Sequence, residues 1–191
     1  MSPRPSTRER ILEVTWDLSN QLSPKSPTVA EVAKAAGVSR QAIYLHFTNR
    51  ANLLTETIQR QQVDVPARLE RARAVEPEQV FTSWLTEIFS EYKKNLSITR
   101  AFVAAVYLDP DGAVAWEDRV QAIRGSARRT VEKLNGLGVL KTDWTVERAA
   151  DWVYSKMNFE TWHLLVHELD WSQRAVLEKT VESLESDLLD L

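Results

Sequence analysis

Residues 28–47 read TVAEVAKAAGVSRQAIYLHF, and this stretch decides the fold. Thr28 stands where a helix N-cap is wanted, and Glu31 at the third helical position completes a capping box. A short helix over Val29–Ala36 follows from that start. Gly37 supplies the left-handed residue that ends it. Ser39 caps the next helix, expected over about Arg40–Phe47. In such a pair Val32 and Ala33 pack the first helix, Val38 plugs the corner, and Ile43 and Phe47 anchor the second. Arg40, Gln41, Tyr44, Leu45 and His46 are left facing outward. A short helix fixed on its inner side and rich in donors on its outer side suits the major groove of DNA.

Working outward, apolar residues recur at spacings of three and four, glycine is scarce, and β-alternation is rare. The whole chain therefore reads as helix, in about nine segments. The first runs from about Thr7 to Leu22, with Ile11, Leu12, Thr15, Leu18 and Leu22 on one face. It is stopped by Ser23-Pro24-Lys25-Ser26-Pro27. Asn49 is placed to cap a long helix from Arg50 to about Ala74. Pro77 opens a fifth helix whose buried face is Phe81, Trp84, Leu85, Ile88 and Tyr92. A sixth lies near Ser97–Leu108, and Asp109-Pro110-Asp111-Gly112 marks a turn. The seventh carries Trp116, Val120, Ile123, Ala127, Val131 and Leu134, ending around Asn135-Gly136-Leu137-Gly138.

The eighth helix, expected over about Val146–Leu169, is apolar nearly all round. Val146, Ala149, Ala150, Val153, Met157 and Leu164 line one face, and Trp152, Phe159, Trp162, Val166 and Leu169 another. Such a helix must be buried nearly all round. The ninth, within about 172–190, repeats Leu177, Val181, Leu184 and Leu188. Two successive apolar helices predict a homodimer joined through a four-helix bundle.

Composition sets the outer limits. The 191 residues are 43% hydrophobic and 27% charged, an ordinary globular balance. The chain holds no cysteine, which excludes disulfides and thiolate metal sites. No apolar run is long enough to span a membrane, and Met1–Arg10 lacks the apolar core of a secretory signal, so a cytoplasmic location is expected. No cofactor is expected. The net charge of −3 is unevenly spread. Residues 1–60 carry eight Lys/Arg against five Asp/Glu, and residues 61–191 carry sixteen against twenty-two. A basic front and an acidic rear suit a protein that meets phosphate with one end.

These residues resemble the DNA-binding domain of the tetracycline-repressor (TetR) family. The resemblance rests on Thr28, Val32-Ala33, Ala36-Gly37-Val38-Ser39, Tyr44-Leu45-His46-Phe47 and, in the first helix, Arg10-Ile11-Leu12. It covers about residues 7–60. Arg50 stands where the family usually has lysine. The resemblance implies a helix-turn-helix DNA-binding domain over residues 1–50, a connecting helix over about 50–74, and a helical ligand-binding and dimerisation domain over 75–191. It also implies a regulator, leaning to repression, that grips a palindromic operator as a dimer and is released by a small-molecule effector. Thr28, Ser39, Tyr44, His46 and Arg50 bring hydroxyl, imidazole and guanidinium donors suited to phosphate. Arg40 and Gln41 are candidates to read guanine and adenine, Arg40 being equally suited to phosphate, and Ala42 to touch a thymine methyl.

The effector pocket implied by the resemblance falls within about 75–170. Trp84, Phe102, Tyr107, Trp116, Trp152 and Phe159, with Phe89, could wall it, and Arg100, Lys156 and Asn158 could add polar tips. Two other classes compete. His163 and His167 stand four apart with Glu160 and Glu168 nearby, a spacing that could hold zinc in a metal-dependent enzyme, although not in the H-E-x-x-H order. The helix-turn-helix could also serve as an interaction module that no longer binds DNA.

Overall fold

Six helix starts are set by a side chain that accepts one of the first free N–H groups, those of Thr28, Ser39, Asn49, Thr145, Asn158 and Ser172. The computed structural model describes residues 5–22, 25–108 and 112–191; the side chains of 105–108, 112–113 and 115–116 lie outside that description. In chain order the helices are α1 (Thr7–Leu22), α2 (Val29–Ala36), α3 (Arg40–His46), α4 (Arg50–Gln61), α5 (Val65–Arg73), α6 (Pro77–Lys94), α7 (Leu96–Leu108), α8 (Gly112–Gly136), α9 (Val146–Met157), α10 (Phe159–His163) and α11 (Gln173–Leu188). A π-helical turn, Leu164–Glu168, follows α10. No strand occurs among the described residues, and the expected all-α class holds. The Asp109–Asp111 part of the expected turn and the Ser23-Pro24 stop lie outside the described residues.

The chain forms two compact units, Met1–Val63 with Asn95–Arg119, and Asp64–Lys94 with Val120–Leu191. In the first, Ile11, Leu12, Val29, Val32, Ala33, Ala36, Ile43, Phe47 and Leu53 make one buried cluster. Ala51, Leu54 and Ile58 of α4 turn instead toward Ile98, Ala101 and Phe102 of α7. So α4 is apolar on two sides and serves two cores. Buried Thr15 and Ser19 satisfy their hydroxyls within α1, donating to the Ile11 and Thr15 carbonyls at 2.8 Å each.

In the second unit α6 packs against α5 and α11, and buries Val80, Phe81, Trp84, Leu85, Ile88 and Phe89. Arg68 ties α5 to Glu87 at 2.6 Å and to Glu91. Arg73 is buried, its Nε donating to Thr130 Oγ1 at 2.8 Å and its Nη2 to Ser126 Oγ at 2.7 Å. Burial lowers its pKa from the ordinary guanidinium value, with Glu70 opposing the shift. Gly138 (φ 73) closes α8, where Val139 N–H reaches Leu134 O at 3.2 Å. Two main-chain bonds then tie this loop to the end of α11: Lys141 N–H to Leu188 O at 2.8 Å and Asp190 N–H to Val139 O at 2.9 Å.

Two of the expected helices are divided. The long helix from Arg50 stops at Gln61, and α5 begins at Val65. Pro66 is the cause, since it has no N–H to continue the ladder and its ring crowds the carbonyl four residues back, so a new helix starts with Pro66 in its first turn, where no N–H is needed. The expected helix Val146–Leu169 breaks at Asn158, whose extended backbone (φ −63, ψ 155) ends α9 and whose Oδ1 accepts the Thr161 N–H at 2.8 Å to cap α10. Beyond His163 the turn widens, and Leu169 N–H reaches back five residues to Leu164 O at 3.0 Å. Asp170 then adopts a left-handed conformation at φ 56, which aspartate tolerates better than most residues.

Candidate nucleic-acid interface

The turn between α2 and α3 is built by three local devices. Thr28 Oγ1 accepts the Glu31 N–H at 3.2 Å, and Glu31 Oε2 accepts the Thr28 N–H at 2.7 Å, closing the capping box. The Thr28 main-chain and hydroxyl bonds hold the Glu31 carboxyl below its ordinary pKa, helped by the charges of Arg50 and Lys25. Gly37 adopts φ 64, ψ 36 and donates to Lys34 O at 3.3 Å, while Val38 N–H reaches Ala33 O at 3.0 Å. Those paired bonds satisfy two carbonyls that the helix end would otherwise strand. Ser39 Oγ accepts the Ala42 N–H at 3.1 Å to start α3.

Two side chains moor α3. Ile43 and Phe47 are each 1% exposed, in the cluster with Val32, Ala33 and Leu53. Val38 packs half-buried against the same cluster. The Arg8 guanidinium lies 5.5 Å from the Phe47 ring centroid on the outer side. Arg40, Gln41, Tyr44, Leu45 and His46 are exposed, and Ala42 is half-buried. Tyr44 is 48% exposed, with its ring free of the core. Arg50 is held more firmly than its charge alone suggests. It is half-buried, donates from Nε to Pro27 O at 3.0 Å, and also bonds Ser26 Oγ. It thereby fixes the start of α4 to the loop that presents Thr28. Asn49 caps α4 through the Asn52 N–H at 2.7 Å.

The aromatic residues expected around an effector occupy different settings. Trp84 is fully buried in the second unit, 5.9 Å from the Arg73 guanidinium, and its Nε1 has no hydrogen-bond partner among the described residues. Phe102 belongs to the α4–α7 core of the first unit. Trp152 donates from Nε1 to Asp187 Oδ2 at 2.9 Å and carries the Lys156 ammonium 4.4 Å from its ring centroid. With Trp144, Asp143, Arg148, Asp151 and Ser155 it borders an open groove of about 530 Å³. Phe159 meets Tyr92 edge-on at 5.4 Å and lies 6.1 Å from Trp162. The side chains of Tyr107 and Trp116 lie outside the described residues. Of the expected polar tips, Arg100 is half-buried in α7, while Asn158 caps α10 and Lys156 covers Trp152.

Sequence periodicity did not pick out Arg73 as a buried cation or Trp144 as a groove wall, since neither falls on an apolar stripe. The His163 and His167 rings lie 5.1 Å apart, with His163 Nδ1 3.5 Å from a Glu168 carboxylate oxygen. Among the described residues no group of three or more His, Cys, Asp or Glu is arranged to hold a metal ion. Among them, too, no helix is long and apolar enough to cross a membrane.

A family model described as bacterial regulatory proteins, tetR family, matches residues 11–57. The HTH-type transcriptional regulator AcrR of Shigella flexneri is 46% identical over 50 residues, which are 26% of this chain and 23% of that protein. An uncharacterized HTH-type transcriptional regulator of Mycobacterium tuberculosis is 30% identical over 147 residues, covering 76% of this chain and 69% of that one. The fold matches the structure of SmeT, the repressor of the Stenotrophomonas maltophilia multidrug efflux pump SmeDEF, at a TM-score of 0.69 and 14% identity, over 97% of this chain and 91% of that one. With the capped, moored and outward-facing α3 in place, the chain belongs to the TetR family of bacterial transcriptional regulators.

Proposed function

We propose that this regulator is a repressor that holds a two-fold symmetric operator as a homodimer, acts in the cytoplasm, and releases DNA when a small molecule binds. The observation that carries the reading is α3, moored by Ile43 and Phe47 and presenting Arg40, Gln41, Tyr44 and His46 to solvent. On this reading Arg40 and Gln41 address base edges with Ala42 beside them, while Thr28, Ser39, Tyr44, His46 and Arg50 address phosphate. Arg50 has a second task, since its bonds to Ser26 and Pro27 hold the loop that carries Thr28. DNA binding is assigned to residues 1–50, the connection to about 50–74, and effector binding and dimerisation to 75–191.

The dimer is assigned to α9 through α11, at about 146–169 and 172–190. Leu164, Leu169 and Trp171 support it, since they are 43%, 55% and 42% exposed around one turn. Two reading helices then match successive major grooves when about 34–36 Å apart. An effector held in the second unit, beside residues such as Trp84, Trp152 or Phe159, lowers DNA affinity in proportion to its preference for another arrangement. SmeT, named as a repressor, supports the direction of regulation.

The test is DNA selection with the purified protein, followed by mobility shifts across a salt series. Arg40→Ala or Gln41→Ala changes sequence preference, and Arg50→Ala weakens all sequences alike and flattens the salt slope. A protein that selects no sequence and shows no salt-dependent binding defeats the reading.

A further inference from the structure

Among the described residues no large apolar side chain is more exposed than Leu45, at 84%. It joins neither hydrophobic cluster of the first unit. A single exposed leucine on an ordinary surface needs no explanation, but this one has a particular place. At about 100° per residue, Leu45 lies roughly 200° from Ile43 and 160° from Phe47, the two moorings of α3. It therefore stands at the centre of the face turned away from the core. Gln41 lies one turn earlier on the same line, with half-buried Ala42 beside it. Arg40 and His46 fall on the flanks, about 60° to either side of Ile43.

We propose that Leu45 is a specificity-determining residue that packs on the C5-methyl group of a thymine, one to two base pairs along the groove from the base read by Gln41. The assignment rests on the DNA-binding reading above. Its spacing is geometric: four residues rise about 6 Å along a helix, against 3.4 Å per base pair. Its chemistry is that of an apolar side chain without donors or acceptors. Thymine offers a methyl to such a group, whereas cytosine carries only a hydrogen at that carbon and, beside it, an amino donor that leucine cannot satisfy.

The experiment starts from the site selected by the wild-type protein. Each thymine is replaced in turn by deoxyuridine, which removes the methyl and leaves the pairing edge intact. The expected result is one thymine position where the wild type loses about three- to fivefold in affinity, the scale of one buried methyl. That position lies one to two base pairs from the base whose identity Gln41→Ala relaxes. Leu45→Ala binds the thymine and deoxyuridine sites alike there, with an unchanged salt slope and an unchanged melting temperature. Two results overturn the assignment while leaving DNA binding intact: no thymine whose methyl is sensed by the wild type and ignored by Leu45→Ala, or a Leu45→Ala variant weakened equally on every sequence. A wild type that selects no sequence overturns the DNA-binding reading, and the assignment falls with it.

Discussion

The reading helix α3 and the segment from Phe159 to Trp171 are both short and both partly open to solvent, but they expose opposite chemistry. On α3 the inner side chains are buried outright, and the outer ones are mostly polar. Beyond His163 the backbone departs from α-helix, and leucines and a tryptophan stay exposed. A charged, donor-rich surface can rest in water and still meet phosphate. An apolar one is satisfied by a surface like itself. On the proposed function the contrast separates two kinds of partner, a nucleic acid for α3 and a second copy of the chain for the segment near Trp171.

The contrast breaks most visibly at the mooring. Phe47→Ala removes a fully buried ring and is expected to destabilise the first unit by about 3–5 kcal/mol in chemical denaturation, with loss of DNA affinity. At the other surface, Leu169→Lys with Trp171→Lys is expected to raise the dimer dissociation constant at least ~10-fold in sedimentation velocity, about 1.4 kcal/mol. The fold of the single chain should barely respond, because both side chains are already half-exposed. A variant that stays dimeric places the partner surface elsewhere.

Smaller effects sharpen the account of the turn. Gly37→Ala meets no atom within 4 Å, so its cost is the left-handed backbone alone, about 1–2 kcal/mol in thermal denaturation. The smallest effect is a titration. The Glu31 pKa is depressed by its bonds to Thr28, so its contribution is present above the ordinary carboxylate range and is lost as pH falls through the depressed value. An NMR titration should show the Thr28 amide following Glu31, and Thr28→Ala should return Glu31 toward its ordinary value.

The turn and its neighbours were legible because the information is local. Thr28, Gly37, Ser39 and Asn49 each act within four residues, and all four do as the chain order predicts. The break at Pro66 was legible in principle too, but the apolar rhythm running across it invited one long helix. Asn158 gave a weaker signal, since an asparagine inside an apolar run caps a helix only if the backbone there is extended. The effector candidates were hard to read for a different reason. Aromatic residues at helical spacing serve a core and a cavity equally well, and only packing tells Trp84, wholly buried, from Trp152, on an open groove. Arg73 was invisible because its partners Ser126 and Thr130 lie more than fifty residues away.

The two-point mooring of α3 bears on how such a regulator changes over generations. Ile43 and Phe47 hold the helix, whereas Gln41 and Leu45 contribute little to stability. Exposed positions of this kind usually shift stability by less than about 0.5 kcal/mol when substituted. On the proposed reading, binding preference can therefore drift by single replacements without passing through unfolded intermediates. A lineage carrying duplicated copies could explore new operators while its scaffold stays under unchanged selection.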